Sequence, residues 1–106
     1  MVNRFEVYLV NLDAEPLKDA KNTRPCVIIS PEEINRNLSS VIIAPLSALT
    51  TRYPTRIPIR FLNGERMIVL DQIRTVDKAR LVKPIGEVEI HQRKAILDRL
   101  AELFAE

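Results

Sequence analysis

The 106-residue chain has one cysteine, one histidine, two glycines and no tryptophan, and these scarcities exclude much chemistry. A lone Cys26 forms no internal disulfide. Cys26 and His91 together fall short of a tetrahedral zinc site built from cysteine and histidine ligands. A two-histidine acid/base ribonuclease mechanism is impossible within one protomer, and any Ser-His-Asp set would depend on His91. With only Gly64 and Gly86 there is no phosphate-cradling loop or dinucleotide fingerprint. The longest apolar runs, CVII and VIIAPL, are far short of the ~20 residues that span a bilayer. The N-terminus lacks the apolar stretch of a signal peptide, so a reducing cytoplasm and no membrane are the expectation.

What is present is ordinary in bulk and uneven in distribution. Hydrophobic residues make up 46% and charged residues 28% of the chain, the balance of a globular protein rather than a disordered one. The length allows one domain, residues 1–106, with a core of its own. The net charge is only +2, but residues 51–84 carry 8 Lys and Arg against 3 Asp and Glu, while both flanks are slightly acidic. Such asymmetry fits an anionic partner as well as it fits a solvated sheet face.

RFEVYLVNLD (4–13) alternates, with Phe5, Val7 and Leu9 on one face, and reads as a strand. AEPLKDAKNT reads as a loop. RPCVIIS is a continuous apolar strand, buried on both faces. In SPEE, Ser30 is placed to cap, Pro31 to open and Glu33 to complete a capping box for a helical turn through Arg36. SVIIAPLS (40–47) is a third strand, stopped by Pro45, and ALTTRYPT a loop. RIPIRF (56–61) alternates, and Pro58 confines it to an edge or a bulge. NGE marks a hairpin turn, and RMIVLDQIRTV returns as one long strand or two short ones. DKARLVKPIGEVE looks irregular. The tail sets Ile96, Leu97, Leu100, Leu103 and Phe104 at helical spacing. The pattern predicts a mainly β domain, a small antiparallel barrel packed by one C-terminal helix.

With metal and histidine chemistry removed, arginine, hydroxyl and carboxylate groups remain. Arg24 stands at a strand entry between Thr23 and the ring-locked Pro25, a fork of donors matched to phosphate oxygens; the plain alternative is a surface arginine paired with Asp19. Ser47 ends a strand, where its hydroxyl either orients a phosphate or only finishes the strand. Asp71 follows a buried stretch and reads as a base or as a turn-former. Cys26, inside an apolar strand, is expected to be inert, and His91 a solvent-facing helix residue.

In order along the chain, FEVYLVNLD, TRPCVIISPEEINR, VIIAPLS, YPTRIPI and VLDQIRTVDKARL resemble blocks of the MazF/PemK family of toxin endoribonucleases, nearly end to end. The resemblance implies an SH3-like barrel of the CcdB/MazF/PemK kind and a homodimer. It further implies cofactor- and metal-independent, sequence-selective cleavage of single-stranded RNA, and inhibition by a cognate antitoxin. By the same resemblance Arg24 matches the catalytic arginine, Ser47 the position of a catalytic threonine, and Asp71 a carboxylate proposed as base. Asp19, Thr23, Tyr53, Arg56, Gln72 and Arg74 become candidate RNA-binding residues, each with a packing or dimer role as alternative. The chain departs from the family pattern in three places. Phe5 follows Arg4 where relatives carry glycine, the loop reads DAEPLKD without its usual glycine, and Val69 replaces an arginine two positions before Asp71. A rival reading keeps the fold and drops the chemistry: a decayed toxin or CcdB-like gyrase inhibitor acting through protein binding.

Overall fold

Two apolar layers, one on each face of a curled sheet, explain the unbroken apolar runs CVII and VIIA of the central strands. A computed structural model describes residues 1–13, 22–49, 55–62 and 64–105. The elements, in chain order, are β1 (Glu6–Asn11), β2 (Thr23–Ile28), α1 (Glu32–Asn37), β3 (Ser40–Ser47), β4 (Arg56–Phe61), β5 (Gly64–Val69), β6 (Arg74–Asp77), β7 (Leu81–Glu87) and α2 (Ile90–Leu103). All described pairings are antiparallel, in the order β4-β5-β3-β2-β1-β7, with β6 added beside β3. The result is a half-barrel of seven strands closed by a terminal helix, as the sequence pattern predicts.

On β2, Val27 enters one core with Val7, Ala44, Leu46, Ile57, Ile59, Ile68 and Ile96. Its neighbours Cys26 and Ile28 enter the other with Val10, Val41, Ile43 and Val76. The alternation of β-strand side chains therefore yields buried residues on both sides, each large one contributing roughly 1.5–3 kcal/mol. β1 shares this property: Val7 and Val10 are both fully buried, in different cores.

Several local expectations are corrected. Pro45 does not stop β3, which runs on to Ser47. It falls between the residues paired to β6, ending at Ile43, and those paired to β5, beginning at Leu46, where a missing N–H costs least. Ser30 is not a helix cap. Its hydroxyl donates to Asn35 Oδ1 at 2.5 Å and accepts from the Ile42 N–H at 3.1 Å. Pro31 occupies the cap position, without a side-chain cap, and the helix begins at Glu32. The segment read as irregular holds a 3-10 turn, Lys78–Arg80, and the edge strand β7. Two register shifts against β1 and the exposed Val82, Lys83 and Pro84 hide its period.

Other expectations stand. β4 is an edge strand and forms a hairpin with β5 that closes at Phe61 and Gly64. The long return segment is two strands, β5 and β6, split by a 3-10 turn at Leu70–Gln72. Phe5 adopts φ 72°, a left-handed conformation that suits glycine. Its ring is buried in the first core, with the Arg4 and Arg93 guanidinium groups 5.6 and 5.4 Å from its centre. Of the apolar residues of the terminal helix, Ile96 is fully buried and Leu100 packs on the core, whereas Phe104 is 70% exposed.

Candidate active site

Strand register decides which polar side chains share a face. Cys26 pairs with Pro45 across β2 and β3, the last pair between these strands, and Arg24 and Ser47 stand two residues beyond it. Arg24 is itself paired with Val10 on β1, Ser47 with Met67 on β5, and Met67 with Pro58 on β4. Pro58, Met67 and Ser47 thus form one cross-strand row and Arg24 and Val10 another, and the β2–β3 pairing between them ends at Cys26 and Pro45. Their floor, Met67 and Val10, is buried, while Arg24 is exposed and Ser47 half-buried.

The two polar groups in these rows are differently held. Arg24 donates from Nε to Asn22 Oδ1 at 3.3 Å. Ser47 Oγ accepts from the Leu49 N–H at 3.1 Å, and a hydroxyl that accepts retains its own proton to donate. Cys26 lies on the same face, fully buried. Burial pushes its thiol up to about 12, and the positive charges of Arg24 and Arg74 pull against that rise. Arg74 pairs with Ile43 on β3, which pairs with Ile28 on β2, four residues along that strand from Arg24. The raised thiol is unreactive at neutral pH, as the sequence implies.

A second cluster sits where β4 begins. Asp71, in the 3-10 turn after β5, accepts from the Thr55 hydroxyl at 3.0 Å through Oδ1. The same oxygen is 3.7 Å from Arg56 Nε. The backbone closes this arrangement, since Leu70 N–H donates to Thr55 O at 3.0 Å. Arg56 pairs with Val69 on β5. The neighbouring pair, Ile57 and Ile68, belongs to the first core, so Arg56 and Val69 project from the opposite face, that of Ser47.

The remaining candidates scatter. Thr23 pairs with Asn11, and alternation along β2 turns it to the face away from Arg24. Gln72 is exposed on the turn that carries Asp71. Asp19 and Tyr53 lie outside the described residues, as do most of the two loops expected around them. His91 is solvent-exposed with Nδ1 3.3 Å from Glu89 Oε2. Among the described residues no three His, Cys, Asp or Glu side chains gather as a metal site. Sequence reasoning missed Thr55, which also lines a cleft of about 310 Å³ with Arg99, Glu102 and Leu103 of α2. No periodicity marks it.

Residues 3–104 match the family model described as PemK-like, MazF-like toxin of type II toxin–antitoxin system. The chain belongs to this toxin family. Solved structures agree in fold. A mycobacterial endoribonuclease in complex with its cognate antitoxin is 25% identical, with 96% of this chain and 93% of that one covered at TM-score 0.81. The Mycobacterium tuberculosis toxin MazF-mt6 is 22% identical, covers 93% and 95%, and has TM-score 0.77. A Deinococcus radiodurans MazE–MazF complex is 16% identical, covers 98% and 95%, and has TM-score 0.80. In this PemK-like chain the family's segments fall on β1, β2, β3, β4 and the β5–β6 stretch, the same strands that bring Arg24, Ser47, Arg56 and Asp71 to the sheet. No helix among its described residues is long and apolar enough to cross a membrane.

Proposed function

We propose that this chain is an endoribonuclease toxin that cuts single-stranded RNA by directing the substrate's own 2′-hydroxyl at the adjacent phosphate. The products are a 2′,3′-cyclic phosphate and a 5′-hydroxyl. Arg24 neutralises charge growing on the non-bridging phosphate oxygens, where a preorganised donor acts most strongly. Ser47 donates a hydrogen bond to the same phosphate and helps hold it in line for attack. The nucleophile is already part of the substrate and the developing charge is met by a guanidinium, so the reaction as proposed uses no metal. Arginine's permanent charge suits it to electrostatic stabilisation rather than to proton donation. The functioning unit is a homodimer, and its protein partner is a cognate antitoxin, as the mycobacterial neighbour is in complex with its own.

The observation that supports this reading is that Arg24 and Ser47 stand on neighbouring strands, each two residues beyond the Cys26–Pro45 pair. The basic excess of residues 51–84 adds attraction for a polyanion. The test is incubation of the purified chain with a long single-stranded RNA in EDTA, mapping cut positions and end groups. Cleavage with 5′-hydroxyl ends that disappears in Arg24→Ala supports the reading. Intact RNA, or cleavage indifferent to Arg24, defeats it.

A second reading, a non-catalytic toxin acting through protein binding, draws on the terminal helix. Ile90, Leu97, Leu103 and Phe104 all expose apolar surface there. That reading expects toxicity to vanish with polar substitutions on α2 and to survive Arg24→Ala.

A further inference from the structure

We propose that Tyr8 is a substrate-binding residue whose ring is the platform for a nucleobase beside the phosphate that Arg24 meets. The inference rests on the endoribonuclease reading above and deepens it. It gives the site a grip on a base as well as on a phosphate.

Strand register carries it first. Tyr8 pairs with Cys26 across β1 and β2, and Cys26 with Pro45 across β2 and β3. One row is therefore Tyr8, Cys26, Pro45, and two residues further along β1 and β2 stand the paired Val10 and Arg24. Tyr8, Val10 and Cys26 all belong to the second core, so alternation along β2 sets Arg24 on the face of Tyr8. The two are diagonal neighbours in the β1–β2 ladder, roughly 7–8 Å apart, a gap that aromatic and long side chains bridge. The base and phosphate of one nucleotide, joined through a single ribose, span a gap of that order.

Exposure and charge then single out the ring. Of the other described aromatics, Phe5 and Phe61 are buried in the first core, and Phe104 follows the last turn of α2. Tyr8 is the described aromatic on the Arg24 face, and it is only half-buried. Pro45, on the other side of the buried Cys26, is half-buried as well, which extends the apolar surface a base can cover. Burial, and after it the charge of Glu6, raises the Tyr8 phenol above its ordinary 10.0. The ring is thus uncharged at neutral pH and repels no phosphate. Glu6 itself stands two residues from Tyr8 on the side away from Arg24, paired with Glu87 on β7. Two facing carboxylates repel a phosphate backbone at that end, so the backbone is drawn to Arg24 and the base falls toward Tyr8. Unstacked RNA bases are commonly held on aromatic rings in this way.

The test maps the cut first. It then measures kcat/KM on one RNA oligonucleotide carrying that cut, and on versions in which single flanking bases are replaced by hydrogen with the ribose kept. The unmodified protein should lose about ten- to hundredfold on one of these abasic versions, the usual worth of a stacked base. Tyr8→Leu, which keeps an apolar cover over the second core, should lose a like factor on the complete oligonucleotide. It should lose nothing more on that abasic version. Tyr8→Phe, which keeps the ring, should behave as the unmodified protein does.

Two results overturn the platform while leaving the nuclease reading intact. One is a Tyr8→Leu protein with undiminished abasic sensitivity, which would leave Tyr8 as cover for the second core. The other is a Tyr8→Phe protein as impaired as Tyr8→Leu, which would give the role to the hydroxyl instead of the ring. If Tyr8→Leu does not fold, or if the unmodified protein cuts no RNA, fluorescence decides. The chain has two tyrosines and no tryptophan, so the tyrosine emission of Tyr53→Phe comes from Tyr8 alone. It is titrated with the uncleavable 2′-deoxy form of the mapped oligonucleotide, or with the four 2′-deoxy homopolymers where nothing is cut. Quenching by these, but not by the same backbone without bases, supports the platform even where the nuclease reading has failed. Unquenched emission at saturation, or no binding, overturns it.

Discussion

Cys26 and Pro45 face each other across β2 and β3, the last pair between these strands before their polar ends. Two residues beyond it in each strand stand Arg24 and Ser47. Neither residue is remarkable for burial, and both lie at strand ends where backbone pairing gives way to side-chain chemistry. The face that Arg24 presents is a consequence of register: a slip by one residue would turn Arg24 into the first core and Pro25 outward.

Replacing Arg24 by alanine is expected to lower kcat by about 10²–10³, the usual cost of removing one preorganised oxyanion donor. Arg24 is exposed, and its guanidinium donates to Asn22 Oδ1. Its loss should therefore shift the midpoint of urea unfolding by less than the equivalent of about 0.5 kcal/mol. Arg24→Lys should recover part of kcat but not all, since an ammonium lacks the planar fork. A large loss of stability in Arg24→Ala would instead mark it as a structural residue.

Ser47→Ala should be milder. The hydroxyl contributes one hydrogen bond to a charged phosphate, so a loss of about ten- to thirtyfold in kcat/KM is expected. Ser47→Thr should retain most activity, because the hydroxyl remains on the same Cβ. A rise in KM with kcat preserved would show that the hydroxyl binds the substrate without favouring the transition state.

Much of this architecture was legible in the sequence, for physical reasons that also explain the failures. Runs such as CVII and VIIA can only be strands buried on two faces in a chain this short. The spacing of Ile96 and Leu100 commits the tail to a helix. Pro45 misled because proline reads as a terminator unless one knows that the strand changes partners there. β7 was hidden because its two register shifts break the period. Ser30 had the right spacing for a cap, but the buried Asn35 claimed its hydroxyl. In the candidate site, Arg24 and Ser47 were individually visible, whereas the Thr55–Asp71–Arg56 cluster was not. It joins residues that local pattern leaves unrelated and that meet only through the β4–β5 register and the 3-10 turn.

Gly86 offers a test of the packing that seats β7 against the rest of the barrel. Its φ is +152°, and a Cβ placed there would come within 2.8 Å of the Phe61 ring at Cε1. Gly86→Ala should therefore destabilise the chain by about 1–3 kcal/mol, through backbone strain and the displaced ring together. Phe61→Leu in the same background should restore part of this loss in a urea titration. Full tolerance of alanine at Gly86 would mean that β7 and the β4–β5 hairpin are not packed as described.

The buried thiol gives a pH dependence whose sign is fixed. Burial raises Cys26 from its ordinary 9.0 to about 12, with Arg24 and Arg74 opposing the rise. The folded chain thus keeps its proton where the unfolded chain has given it up. The unfolded state binds fewer protons between those two values, so stability falls as pH rises through that window and is fully present below it. Other groups titrate there too, so the measurement is the difference between the unmodified protein and Cys26→Ala, by urea unfolding at about pH 8 and about pH 10.5. The stability of the unmodified protein relative to the variant should decline toward the higher pH, with a slope of at most about 1.4 kcal/mol per pH unit. A constant difference would mean that the thiol ionises as readily in the fold as in water. Cys26 would then be open to solvent beneath Arg24, and the apolar floor of the proposed phosphate site would not exist.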